Sequence, residues 1–262
     1  MKICRIQCLE TGKIIYALYE SSKFKILKNS PFEKIELSGE EIPEGKAKFL
    51  APVANPPQII AIGLNYSQHA KESNMQIPKE PVIFFKGINA LVGPSYPIIL
   101  PKIAPDEVDY EAELTIVIKK KAKNIPIENV NDYILGYTCG NDVSARDCQM
   151  RYDKQWARAK SFDSFAPIGP FIVCGITTDN LAIKSVLNGK IMQNSNTSDM
   201  IFDCAELVSY LSKCMTLYPG SIIMTGTPPG VGFARKPPVF LKEGDTISIE
   251  IEKIGILSNK VI

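Results

Sequence analysis

The chain has 262 residues, 45% hydrophobic and 22% charged, with 30 Lys and Arg against 28 Asp and Glu. That size and composition suit one large globular domain, or a large one with a small companion, and the even charge gives no electrostatic footing for nucleic acid or an anionic membrane. No apolar run reaches membrane-spanning length, and the single histidine, His69, excludes a His-rich zinc site.

The chain opens on MKICRIQCLETGK, in which charges interrupt any signal-peptide core. Turn residues at Thr11-Gly12 and Asn29-Ser30-Pro31 predict a small β-rich N-terminal domain over residues 1–52. The polar, proline-rich stretch GEEIPEGKAKFLAPVANPPQ reads as a linker into a main domain over residues 53–262. Seven cysteines without a Cys-x-x-Cys pair read as mostly buried thiols, which suits a reducing cytoplasm. From Ile59 onward short apolar runs recur between Gly and Pro, which predicts an α+β, β-dominated fold.

In GLNYSQHAKES, Ser67 is placed to cap a short helix with His69 and Glu72 on one face. A carboxylate beside an imidazole fixes its tautomer and raises its basicity, as a general base needs. A surface pair without a role fits the same spacing, and the surrounding Gly, Asn and Lys suggest an exposed, mobile segment.

DYEAELTIVI reads as a strand in which Asp109, Glu111 and Glu113 point the same way. Either this is a solvated acidic face, or the carboxylates hold a hard cation. The lysines Lys119 to Lys121 that follow read as a solvated turn. In GYTCGNDVSARDCQM, Asp142 sits where a strand turns. Together with Glu111 and Glu113 it would complete three hard oxygen ligands, suited to Mg²⁺ or Mn²⁺.

In WARAKSFDSFAPIGP, Lys160 is flanked by Trp156, Phe162 and Phe165, which suggests a partly buried lysine able to hold an anion. DMIFDCAELVSYLSKCM has apolar residues at helical spacing, with Ser198 or Asp199 as the expected cap and Pro219-Gly220 beyond its end. TGTPPGVG lacks the ending of a phosphate-binding P-loop. Its glycines allow close approach of backbone to a ligand, and Thr227 offers a hydroxyl.

Taken in order, GLNYSQHAKES, DYEAEL, GYTCGNDVSARDCQ, KSFDSFAPIGP, NTSDMIF and PGSIIMTGTPPGVG resemble the fumarylacetoacetate hydrolase family, from about Ile59 to the C-terminus. The resemblance implies a mixed β-sandwich-like roll, a homodimer, and Mg²⁺ (or Mn²⁺) bound at Glu111, Glu113 and Asp142. Asp109 is then expected near the ligands or at the surface. The family's dyad falls on His69 and Glu72, in a helix that often orders on ligand binding. Its substrate-binding lysine falls on Lys160, and Gln149 and Thr227 match positions that contact substrate. Arg146 lies in the same motif as Gln149.

The stretch IIAIGLNYSQ lacks the extra metal-binding Asp of the fumarylacetoacetate hydrolases proper, which points to the smaller bacterial- and archaeal-type branch and away from fumarylacetoacetate as substrate. The implied chemistry runs through a metal-stabilised enolate of a small 2-oxo acid. Hydrolysis of a C–C bond in an acylpyruvate-like 2,4-dioxo acid is the first expectation, with His69 and Glu72 activating water. Isomerisation or decarboxylation of a 2-hydroxy-dienedioate or an oxaloacetate-type acid in aromatic catabolism, or dehydration of a 2-keto-3-deoxy sugar acid, are the alternatives.

Overall fold

In the computed structural model, which describes residues 1–262, strands β1 (Lys2–Cys8), β2 (Ile14–Glu20), β3 (Lys23–Leu27) and β4 (Leu37–Pro43) form an antiparallel meander. Gly12, at φ +70, makes the first turn, a conformation that glycine adopts without steric penalty. The stretch expected to be a linker is structured in its first half. It finishes β4 and then forms β5 (Ala47–Leu50), which pairs with β1 through Arg5↔Leu50 to Cys8↔Ala47. Only long-range pairing makes KAKFL a strand, which local composition does not reveal.

The remaining strands are β6 (Ile59–Gly63), β7 (Val82–Lys86), β8 (Leu91–Val92), β9 (Val108–Asp109), β10 (Ala112–Ile118), β11 (Ile134–Asn141), β12 (Ser144–Ala145), β13 (Ala166–Val173), β14 (Ala182–Leu187), β15 (Lys190–Asn196), β16 (Ile222–Met224), β17 (Thr246–Ile251) and β18 (Gly255–Lys260). One twelve-stranded sheet runs β4-β3-β2-β1-β13-β11-β10-β16-β6-β7, with β5 on β1 and β8 on β13. The first fifty residues thus join the large sheet through the β1–β13 pair. The sheet is mixed, because β16 runs parallel to β6.

A second sheet, β15-β14-β17-β18, packs over the middle of the first. Leu114, Ile116 and Cys139 meet Ile183, Ile247, Ile249 and Leu257 in the shared core. β10 is buried along its whole length, so its sequence AELTIVI has none of the in–out alternation of a half-exposed strand. This two-layer, strand-dominated architecture is the sandwich-like roll expected from the sequence.

Three α-helices decorate it: α1 (Ser67–Glu72), α2 (Ala157–Lys160) and α3 (Cys204–Cys214). α3 starts later than expected. Its cap is Asp203, whose carboxylate accepts from Glu206 N at 2.8 Å while Glu206 accepts from Asp203 N at 2.8 Å. Ser198 and Asp199 belong to a preceding single turn, Thr197–Asp199. All seven cysteines are free thiols and five are buried; burial pushes Cys4, Cys139 and Cys204 up to about 12, so they are unreactive. No helix is long and apolar enough to cross a membrane.

Candidate active site

Glu111 and Glu113 flank Ala112 at the start of β10, and Asp142 follows the last residue of β11. The β10–β11 register pairs Ala112 with Asn141 and Glu113 with Gly140, and Asp142 N donates to Glu111 O at 3.0 Å. Sheet register therefore sets all three carboxylates on one face. One oxygen from each lies within 4.8 Å of the others, and all three residues are buried.

The strand expected to run through Asp109 breaks at Tyr110–Glu111. Asp109 ends β9, which pairs with β12 rather than with β11. It is fully buried, which rules out a surface position. Its Oδ1 accepts from Gly232 N at 2.7 Å and its Oδ2 from Phe233 N at 2.9 Å, with Arg146 Nε at 3.1 Å.

So many buried carboxylates would repel one another without compensation. Arg146 donates from Nη2 to Glu111 Oε1 at 2.5 Å and from Nη1 to Gln149 Oε1 at 2.7 Å. Lys160, at the end of α2, is 2% exposed, and its Nζ lies 2.8 Å from both Glu111 Oε2 and Asp142 Oδ2. The lysine expected to be partly buried is thus fully buried, and it pairs with the carboxylate cluster itself.

A further cation, Lys86, was not signalled by the sequence. It is the buried last residue of β7, and its ammonium donates to Asp142 Oδ1 and, at 3.3 Å, to Val143 O. Nothing in the run VIFFKG marks a lysine that the β6–β7 hairpin turns inward.

Burial raises Glu111's proton affinity, but Lys160 and Arg146 outweigh it and hold the carboxyl well below the usual carboxylate range. Glu113 has no such partner. Burial and the neighbouring Asp142 and Glu111 push its carboxyl well above that range, opposed only by Lys160 and the Gly226 N–H at 2.9 Å. Burial lowers Lys86, and Asp142 opposes the shift. Burial also acts to lower Lys160, but Asp142 and Glu111 outweigh it and raise it.

The donor set fits a hard divalent cation. It offers three carboxylates at mutual reach, one of them without a salt-bridge partner, no thiolate among them, and the chain's one imidazole engaged elsewhere.

α1 forms the wall above this floor. His69 Nδ1 lies 3.1 Å from Glu72 Oε2, and both Glu72 oxygens accept from Gly230 N, at 2.9 and 3.2 Å. Because the Glu72 carboxylate can only accept, Nδ1 is the donor and Nε2 carries the lone pair. Ser67 does not cap the helix. It is the first helical residue after Tyr66, and Asp199 supplies the cap by accepting from Gln68 N at 3.0 Å. Asn65, Tyr66, His69 and Ala70 are buried, so only Gln68, Lys71 and Glu72 are exposed in the manner expected.

The loop Thr225–Gly232 closes one side. Its glycines approach the protein's own groups rather than leaving room for a ligand: a Cβ on Gly226 would stand 2.7 Å from Asn65 Cβ. Thr227 Oγ1 donates to Ala112 O at 3.0 Å and accepts from Gln193 Nε2 at 2.7 Å. Gln193, on β15, also donates to Pro228 O and accepts from Ala112 N at 2.9 Å, so it clamps loop to strand. It too carried no sequence signal.

A cavity of about 330 Å³ lies among these residues. His69, Glu111, Glu113, Arg146, Gln149, Lys160 and Thr227 all line it, and Met75, Met150, Trp156 and Phe233 form apolar parts of its wall. Glu72 stands behind His69. With Oε1 held by Arg146, Gln149 has its amide NH₂ left as a donor. The chemistry available is a cation-binding floor, an oriented imidazole, and cationic and amide donors suited to a small anion.

The family model for the fumarylacetoacetate (FAA) hydrolase C-terminal domain matches residues 58–262, and a model described as Rv2993c-like, N-terminal matches residues 1–52. The chain is 49% identical over 84% of its length to the mitochondrial oxaloacetate tautomerase Fahd2a of Rattus norvegicus, covering 71% of that protein. It is similar in structure to 5-carboxymethyl-2-hydroxymuconate delta-isomerase from Mycobacterium smegmatis, with a TM-score of 0.90 and 39% identity over all of this chain and 99% of that one. For 2-hydroxyhepta-2,4-diene-1,7-dioate isomerase from Mycobacterium marinum the TM-score is 0.88, with 38% identity over all of this chain and 98% of that one. The chain belongs to the fumarylacetoacetate hydrolase family, a family of enzymes that act on small molecules.

Proposed function

We propose that the protein interconverts the keto and enol forms of a small 2-oxo dicarboxylate of the oxaloacetate or hydroxy-dienedioate type, with Mg²⁺ at Glu111, Glu113 and Asp142. The observation that carries this reading is the placing of an oriented imidazole, His69 on Glu72, in one cavity with Glu111 and Glu113, whose carboxylates cluster with that of Asp142. Names among the relatives, an oxaloacetate tautomerase and two isomerases, favour it over C–C hydrolysis.

Glu111, Glu113 and Asp142 would hold a cation, whose positive charge would favour build-up of negative charge on a bound 2-oxo acid. His69 Nε2 takes a proton from C3 of the substrate, the electron pair of that C–H bond becomes the C2=C3 double bond, and the carbonyl π pair moves to the C2 oxygen. The imidazolium then returns the proton to that oxygen, so the net change is isomerisation. Glu72 stabilises the imidazolium through Nδ1–H. Gln149 and Lys160 offer donors to the substrate's carboxylates, and the apolar wall limits water.

The second reading is hydrolysis of an acylpyruvate-like acid, in which the same His69–Glu72 pair would deprotonate water instead of carbon. Stopped-flow absorbance of oxaloacetate enol, beside an acylpyruvate cleavage assay and both with Mg²⁺, separates the two. Fast enol–keto exchange with slow cleavage supports the proposal. Rapid cleavage without exchange would reverse the order.

A further inference from the structure

Asp109 has no place in the ligand set or the imidazole pair, yet it is the most completely engaged carboxylate at the site. Besides Gly232 N, Phe233 N and Arg146 Nε, it accepts from its own residue's successor, Tyr110 N, at 2.8 Å. Gly232 is shaped to it: a Cβ there would stand 2.5 Å from Asp109 Oδ1 and 1.9 Å from Val239 O. The guanidinium of Arg146 lies 4.4 Å from the centre of the Phe233 ring, so Asp109 and Arg146 grip Phe233 by its backbone and its face.

Two paths leave this carboxylate. One passes through Arg146 to Glu111 and Gln149 on the floor of the cavity. The other passes along the loop from Gly232 to Gly230, whose N–H holds Glu72 and through it His69. α1 is short: Tyr66, His69 and Ala70 are buried, and its C-terminal end is tied to the loop through Glu72.

We propose that Asp109 is a positioning residue that ties the carboxylate floor to the His69–Glu72 wall, and so sets the distance between cation and imidazole. This rests on His69 acting as the base. Losing the tie moves the wall without removing any group that touches substrate, and misplacement of that kind lowers the rate by about 10²-fold.

The test is a double-mutant cycle of Asp109→Asn and Glu72→Gln, with kcat, KM and Mg²⁺ affinity measured for each. Asp109→Asn alone is expected to lower kcat by about 10²-fold with little change in KM. In the Glu72→Gln background it is expected to cost far less, because an amide with a single accepting oxygen already weakens the Gly230–Glu72–His69 path. An equal loss in both backgrounds, or none in either, overturns the proposal.

Amide exchange at Gly230 and Ser73 distinguishes this failure from failure of the base assignment. Asp109→Asn is expected to accelerate both, whatever the activity of Glu72→Gln, and unchanged exchange breaks the tie itself. If Asp109→Asn does not fold, phenyllactate in place of Phe233 removes the N–H that Asp109 accepts while keeping the Asp109 carboxylate and the Phe233 ring, and also weakens the Gly232 carbonyl that accepts from Arg235 N and Val239 N. It is expected to lower kcat in the same sense, and an unaffected kcat overturns the proposal.

Discussion

The floor and the wall of the cavity are built in different ways. The floor is part of the sheet: β10 and β11 fix Glu111, Glu113 and Asp142 by register, inside a fully buried strand pair. The wall, α1 with the loop 225–232, lies outside the strands and is held by side-chain and loop contacts, among them Glu72 to Gly230, Asp199 to Gln68 and Gln193 to Thr227. Substitutions in the floor therefore act on folding and on the cation, whereas substitutions in the wall act on proton transfer.

The largest effect is expected for Glu111→Ala. It strands Arg146 and Lys160 as buried cations short of a partner, a change that destabilises by about 3–5 kcal/mol. Chemical denaturation of the variant checks this, and near-native stability would show that the floor relaxes more than a sheet allows. Glu113→Gln is the contrasting case. It replaces a carboxyl that burial and its neighbours favour in the neutral form with a neutral amide, so the fold is retained while Mg²⁺ binding in calorimetry is lost; retained affinity would remove Glu113 from the ligand set.

Glu113 also gives the floor a pH signature. Its carboxyl is raised in the folded, cation-free protein, so from the ordinary carboxylate range up to that raised value the folded state holds a proton that the unfolded state has lost. This contribution to stability is present at low pH and falls as pH rises through that window. Glu111 has the opposite sign: its contribution is present above the ordinary carboxylate value and is lost as pH falls below it. Cation binding needs the ionised Glu113, so it releases a proton and tightens with rising pH. Titrations in buffers of different ionisation enthalpy read that proton directly, and a buffer-independent heat would contradict the raised carboxyl.

The smallest effect belongs to Lys160, which stands between the two regions. The family resemblance makes Lys160 a substrate-binding lysine. Its place against Glu111 and Asp142 implies that Lys160→Met also alters Mg²⁺ affinity, tightening it by removing a neighbouring positive charge, while raising KM. Unchanged affinity would mean that the ammonium leaves the carboxylates when the cation binds.

Much of this was legible from residue order. DYEAEL sets Glu111 and Glu113 on one face, and HAKE sets His69 and Glu72 on one helical face, because those relations follow from local periodicity; that Asp142 joins the two glutamates rests on the β10–β11 register. What escaped depends on contacts distant in sequence. Lys86 becomes an active-site cation only because the edge hairpin turns its last residue inward. Gln193 acts from the second sheet, and Asp109 leaves the expected strand because the chain breaks at Tyr110 to reach Gly232 and Phe233. KAKFL became a strand by pairing with residues forty positions earlier in the meander, as at Gln7↔Lys48.

The central claim is that the wall supplies a proton-transfer group to a floor that binds the cation independently. The direct measurement is oxaloacetate enol–keto exchange by His69→Ala at saturating Mg²⁺, with the Mg²⁺ affinity of the same variant. The account predicts a loss of at least about 10²-fold in kcat with affinity unchanged. Exchange at the wild-type rate, or a loss that tracks weakened Mg²⁺ binding, would contradict it.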